Sequence, residues 1–204
     1  TLQQALRKGD WKVTVAVHLG DAVFSPRIIN IWPGFYEGTI YGLAVDLGST
    51  TIAAHLCDLQ SGEVIASSGI MNPQIRFGED LMSRVSYGMM NPTGSEEMTR
   101  AVREGMNALF VQIASEANID RNLIVDAVFV CNPVMHHLFL GIDAYELGQA
   151  PFALATSKSL SLDARDLDLE HPVRLERRHR HVAAPGGQRP QGHQVQEDAP
   201  RQAA

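Results

Sequence analysis

A chain of 204 residues, 45% of them hydrophobic, holds the material for one or two small domains with a buried core. Its formal net charge of −6 at pH 7 argues against a nucleic-acid partner, which usually calls for a basic stripe. The two cysteines, Cys57 and Cys131, lie far apart in apolar runs, which excludes a disulfide framework and is too few for an iron–sulfur cluster or a four-cysteine zinc site.

Buried thiols in a reducing cytosol are therefore expected. No apolar run approaches the length that spans a bilayer, and no signal peptide is recognisable, so no membrane partner and a cytoplasmic location are expected. A chain that opens on Thr1 rather than Met is expected to be a fragment or a processed piece.

Residues 1–10 (TLQQALRKGD) read as the end of a short helix closed by Gly9. Trp11, Val13, Val15 and Val17 alternate with polar residues through 11–19, a strand of period two. Gly20–Asp21 reads as a turn, and a second strand follows at Ala22–Ile31, weakened by Pro26. Residues 1–38 thus form a small hairpin unit that ends at the Pro33–Gly34 break. From Tyr41, three runs (YGLAVD, TIAAHLCDL and EVIASSGI) are short strands joined by tight turns, an antiparallel meander. Residues 71–80 are irregular, and Leu81, Met82 and Val85 place a short helix over Glu79–Tyr87.

The strongest periodicity follows. Met98, Val102, Met106, Leu109, Phe110, Ile113 and Ala117 mark one face of a helix over Ser95–Asn118. Thr93 with Glu96 fits a capping box, and Glu96 and Glu97 suit the positive end of the helix dipole. Asp126–Pro133 (DAVFVCNP) is a fourth buried strand, and VMHHLFLGI after Pro133 is a helix with Gly141 near its end. Residues 171–204 carry six Arg, four His and four Pro, with no Lys, no Ile and no Phe, Tyr or Trp. Such a stretch buries too little to offset its ordering entropy, so disorder is expected. The abrupt change of composition suits either an out-of-frame translation or a natural basic tail, and sequencing the locus in close relatives separates the two.

The stretch Leu43–Thr51 (LAVDLGSTT) carries the chemistry. A phosphate needs backbone N–H groups that can come close, hydroxyl donors and no intervening side chain. Gly48 supplies the close approach, and Ser49, Thr50 and Thr51 supply hydroxyls in a turn whose successive N–H groups can form an anion-binding concavity. A carboxylate beside phosphates needs a cation between them, so Asp46 suits a ligand of Mg²⁺. Asp, Gly, Ser and Thr are also ordinary turn residues; the flanking strands favour phosphate binding.

The segment GLAVDLGSTTIAAHLCDLQSGEVIASSGIMNPQIRFGEDLMSRVSY resembles the first phosphate motif of the superfamily of acetate and sugar kinases, heat-shock chaperones and actin. Within it NPQIRFGEDLMSRV, together with CNPVMHHLFLGI and, more loosely, DWKVTVAV, resembles the reductive activators of corrinoid proteins, ferredoxin-like metalloproteins with an actin-like ATPase domain. The resemblance covers about residues 10–165 and is specific over 43–88 and 129–142. It implies an α/β fold with three parts: a linker or middle-domain portion at 1–38, the first lobe of an actin-like (ribonuclease H-like) ATPase at 39–165, and a disordered tail, natural or frameshifted, at 166–204.

The resemblance further implies a complete protein that passes an electron to the Co(II) corrinoid of a methyltransferase partner, restoring Co(I) at the expense of ATP. Asp46 would then hold Mg²⁺, and Gly48, Ser49, Thr50 and Thr51 would cradle ATP phosphates. The family's [2Fe–2S] centre would sit in an N-terminal domain missing from this chain. The second lobe is missing too, so weak ATP binding and negligible hydrolysis are expected. Gln74, Glu79 or Asp80 would orient a water or meet the partner, though Glu79 and Asp80 suit a charge pair at a helix N-terminus better. Arg84 suits a phosphate or, better, an i, i+4 pair with Asp80. Asn132 would lie near the nucleotide or the interlobe hinge. Adjacent His136 and His137 diverge by about 100° on a helix, which suits a structural role better than a metal. A small-molecule kinase and a non-catalytic interaction module are the alternatives, and a homodimer is left open.

Overall fold

The computed structural model describes residues 2–19, 25–156 and 160–170, and the backbone of 174–177. The expected Gly20–Asp21 turn, the first residues of the expected second strand and the tail beyond 177 lie outside the described residues.

A first helix, α1 (Leu2–Lys8), carries Arg7 and Lys8 in its last turn, where cations suit the dipole. Strand β1 (Val13–His18) pairs antiparallel with β2 (Arg27–Pro33), from Val13↔Pro33 to His18↔Arg27, as a two-stranded ribbon. The first strand starts two residues later than its alternation suggests, because Asp10 and Trp11 adopt left-handed backbone (φ 49° and 63°).

The main sheet has six strands. The expected meander is present as β3 (Tyr41–Leu47), β4 (Thr51–Asp58) and β5 (Val64–Met71), antiparallel throughout. Beside β3 lies β6 (Ile124–Cys131), in parallel register with Leu47 opposite Cys131. Strand β7 (Ser161–Asp163) and strand β8 (Arg174–Arg177) complete the sheet, β8 parallel to β6 and antiparallel to β7. The expectation of disorder from residue 166 is therefore corrected for 166–170 and 174–177. Leu167 and Leu169 are buried in the core, and β6 offers an edge for the next strand.

Helices α2 (Leu81–Met90), α3 (Gly94–Glu116) and α4 (Pro133–Leu140) bury their apolar stripes in one core with this sheet. Leu43, Val45 and Leu47 alternate into that core from β3, and Ile52, Ala54 and Leu56 from β4. Met98, Val102, Met106, Leu109 and Ile113 meet them from α3 with no exposed surface. The expected Thr93–Glu96 capping box does not form. The Thr93 hydroxyl donates instead to Glu97 Oε1 at 2.6 Å, and the Tyr87 hydroxyl to Glu97 Oε2 at 3.0 Å. Helix α4 follows its punctuation. Asn132 caps its start, Pro133 stands in the first turn, and Gly141 turns left-handed (φ 76°) just past its end.

Leu109→Ala removes a fully buried side chain and is expected to cost roughly 2–5 kcal/mol of unfolding free energy, whereas Val111→Ala on the exposed face stays within about 0.5 kcal/mol. Urea unfolding of the two variants checks the difference.

Candidate functional site

The bend between β3 and β4 begins at Gly48, whose N–H donates to the Thr51 carbonyl at 3.1 Å. A Cβ at position 48 would lie 2.6 Å from that carbonyl oxygen, so only glycine fits without a shift. Gly48 and Ser49 are half-buried, and Thr50 and Thr51 are exposed.

The carbonyls of the bend are held from behind. Asn72 Nδ2 donates to the Gly48 carbonyl at 2.8 Å, and the Asn72 N–H donates to the Thr50 carbonyl at 2.8 Å. Arg84 Nη2 donates to the Ser49 carbonyl. In a trans peptide the N–H points opposite to the carbonyl it shares a plane with. The N–H groups of Ser49, Thr50 and Thr51 therefore each point away from the group that holds the preceding carbonyl. Successive N–H groups so directed, flanked by hydroxyls, suit an anion.

Asp46 lies two residues before the bend, half-buried, on the sheet face opposite Val45 and Leu47. Its cross-strand neighbours are Ala53 and Val130, small or aliphatic side chains. The donor set fits a polyphosphate. The single carboxylate fits Mg²⁺ only if phosphate oxygens and water complete the octahedron, which is how that ion is commonly held. Asn132 follows the residue opposite Leu47, so it sits at the same end of the sheet as Gly48, at the carboxyl ends of the parallel strands.

Behind the bend lies a polar cluster that no single stretch of sequence reveals. Asn72, Gln74 and Arg84 are each fully buried. The Arg84 guanidinium donates through Nε to the Gly78 carbonyl at 2.8 Å and through Nη1 to Gln74 Oε1 at 3.4 Å. Met135 Sδ lies 3.3 Å from Nη1 of Arg84 and 3.6 Å from Nδ2 of Asn72. Burial pushes the guanidinium's pKa down from its ordinary value, and Asp80 pulls it partly back. The expected Arg84–Asp80 pair is thus corrected: the hydrogen bonds of Arg84 turn inward, to the Gly78 and Ser49 carbonyls and the Gln74 side chain.

Three other expected residues have structural places. Gln74 is interior, donating from Nε2 to the Met98 carbonyl of α3 at 3.0 Å. Asp80 is the N-cap of α2. Its Oδ1 accepts the Ser83 N–H at 2.8 Å while the Ser83 hydroxyl oxygen accepts the Asp80 N–H at 3.2 Å. The bond from the Ser83 N–H holds the Asp80 carboxyl below its usual range, against a smaller opposing effect of desolvation. Asn132 Oδ1 accepts the Met135 N–H at 2.9 Å as the N-cap of α4, and the Met135 sulfur joins that helix to the cluster. Gly48, Ser49, Thr50 and Thr51 form one surface bend, with Asp46 at the end of the strand before it, Asn132 at the same end of the sheet, and Gln74 and Asp80 behind or apart from it.

Neither histidine of the pair suits a metal. His137 Nδ1 lies 2.7 Å from the Pro133 carbonyl and Nε2 accepts the Ala155 N–H at 3.1 Å, which together select the Nδ1–H tautomer and occupy both nitrogens. His136 is buried edge-on against that ring. No group of three or more His, Cys, Asp or Glu stands ready for a metal among the described residues. Cys57 is opposite Gly42 and Cys131 opposite Leu47, near opposite ends of β3, so they do not fit an iron–sulfur cluster. No described helix is long and apolar enough to cross a membrane. A groove of ≈ 700 Å³ runs along α3 past Arg100, Arg103 and Gly141, away from the bend.

Residues 41–176 match the family described as the RACo middle region, and residues 1–38 match the RACo linker region. The corrinoid activation enzyme RamQ of Eubacterium limosum is 34% identical over 144 residues, covering 70% of this chain and 24% of that protein. A solved structure of a reductive activator for corrinoid, iron–sulfur protein matches with a TM-score of 0.76 at 32% identity, covering 86% of this chain and 28% of that one. The chain thus spans 24–28% of the length of these relatives.

Asp80→Ala is expected to destabilise the chain by removing the α2 cap. The folded-state pKa of Asp80 is lowered, so the cap's contribution is complete above the ordinary carboxylate value and is lost as pH falls through the folded value. Urea unfolding at pH 7, 5 and 3 checks this: the gap between wild type and variant holds from 7 to 5 and narrows at 3.

Proposed function

This chain belongs to the RACo family, whose linker and middle regions it carries, and from that premise we propose that it is the nucleotide-binding first lobe of an actin-like ATPase within a reductive activator of corrinoid proteins. The observation that carries the reading is the Gly48–Thr51 bend, its carbonyls drawn back by Asn72 and Arg84 and its N–H groups turned the other way. Its place beside Asp46, at the carboxyl ends of parallel strands, supports the same reading. Both relatives are corrinoid activators by name, which favours this function over a sugar or carboxylate kinase.

In this reading the N–H groups of the bend and the hydroxyls of Ser49, Thr50 and Thr51 bind the ATP phosphates. Asp46 orients Mg²⁺ directly or through water. Gly48 keeps the approach open, since any Cβ there would crowd Thr51. Bound ATP and Mg²⁺ would supply the hydrolysis that drives one electron uphill from the reduced [2Fe–2S] cluster of the separate N-terminal domain onto the Co(II) corrinoid of a methyltransferase partner, leaving the cluster oxidised and the cobalt as Co(I). The cluster that the resemblance places in a separate N-terminal domain takes no ligand from Cys57 or Cys131. A bend at the surface is one wall of a nucleotide cleft, so adenine and the opposite phosphate clamp require another lobe.

Isothermal titration of this chain with MgATP is expected to give millimolar or weaker affinity, and micromolar binding would contradict the half-cleft. In a full-length family protein carrying this region, Asp46→Ala is expected to abolish nucleotide-dependent corrinoid reduction. Unchanged activity in that assay would favour a non-catalytic module.

A further inference from the structure

The guanidinium of Arg84 is fully buried, and the acceptors it meets are two backbone carbonyls, an amide oxygen and a thioether. An arginine in such a place is ordinarily matched by a carboxylate in contact. The carboxylate that acts on Arg84, Asp80, is engaged in capping α2 through Ser83. A full positive charge therefore stands directly behind the Ser49–Thr50 peptide.

We propose that Arg84 is the positioning residue of the polyphosphate site. It contacts no ligand and acts through the peptide whose carbonyl it holds; the proposal rests on the phosphate reading of the bend. A charge-assisted bond to the Ser49 carbonyl fixes the plane of that peptide and polarises it, which strengthens the Thr50 N–H as a donor on the opposite side. Asn72 does the same for its neighbours, by its side chain at the Gly48 carbonyl and by its own N–H at the Thr50 carbonyl. The planar fork is essential, because Nε reaches Gly78 while Nη2 reaches Ser49. A lysine ammonium keeps the charge but cannot hold both carbonyls from the edges of one rigid group.

The test compares the chain with its Arg84→Lys variant by amide and carbonyl NMR, ligand-free and titrated to saturation with Mg²⁺–tripolyphosphate or MgATP. In the wild type the amide signals of Ser49, Thr50 and Thr51 lead the response to both polyanions. In Arg84→Lys the ligand-free Ser49 carbonyl signal moves and the apparent affinity falls about tenfold, while signals remote from the bend hold still. An unmoved Ser49 carbonyl, or undiminished affinity, overturns the positioning role. A wild type whose bend ignores both polyanions overturns the phosphate reading instead, and the ligand-free carbonyl signal tells that failure from the first. Should Arg84→Lys not fold, Asn72→Ser is read in the same way at the Gly48 carbonyl, with the same two outcomes.

Discussion

A charge held away from the protein surface governs this structure. Removing a guanidinium from solvent is costly unless its donors find acceptors, and Arg84 finds them on four different segments. Ser49 belongs to the β3–β4 bend, Gly78 to the loop before α2, Gln74 to the 3₁₀ turn Pro73–Phe77, and Met135 to α4. Gln74 extends the tie to α3 through the Met98 carbonyl. The bend is therefore a surface feature on an interior anchor, and its shape depends on the helical layer as much as on its own residues.

That division explains what could be read from the chain alone. Contiguous signals were legible: the alternation of Leu43, Val45 and Leu47, the stripe of α3, the Pro133 and Gly141 punctuation of α4, and the Asp46–Thr51 string. Each depends on neighbours a few residues away. The i, i+4 spacing makes Asp80 the local default partner of Arg84, yet an exposed ion pair is worth little and tertiary carbonyls hold the guanidinium instead. The hydroxyl of Thr93 went to Glu97 rather than into a capping box because Tyr87 also converges on that carboxylate. Residues 174–177 read as tail because their composition is polar, whereas their strand exists through the edge that β6 presents. Gln74 and Asn72 gave no local sign of burial, since polar residues after Met71 look like a loop until the helices cover them.

The ribbon of β1 and β2 meets the main sheet through polar contacts. Asn30 Nδ2 donates to the Asn122 carbonyl at 3.1 Å, His18 lies 4.0 Å from Asp126, and Arg27 lies 3.7 Å from Asp163. The Arg27–Asp163 pair is exposed and contributes little, whereas His18 and Asp126 are half-buried. Val15, Val17 and Ile28 meanwhile stay exposed on the ribbon. The two matched family regions thus carry separate sheets, the two-stranded ribbon and the six-stranded sheet.

The β3–β4 hairpin closes between adjacent strands, but its clasps come from farther along the chain. Asn72 is 24 residues from Gly48, Arg84 is 35 from Ser49, and Met135 is 51 beyond Arg84. Loop-closure entropy favours near contacts first, so the hairpin precedes its clasps during folding. The bend acquires its final conformation only when Asn72 and Arg84 close on it, after both of its strands. A nascent chain therefore passes through a stage that has the hairpin's strands but not yet its competent tip, and maturation of the tip reports that the helical layer has docked.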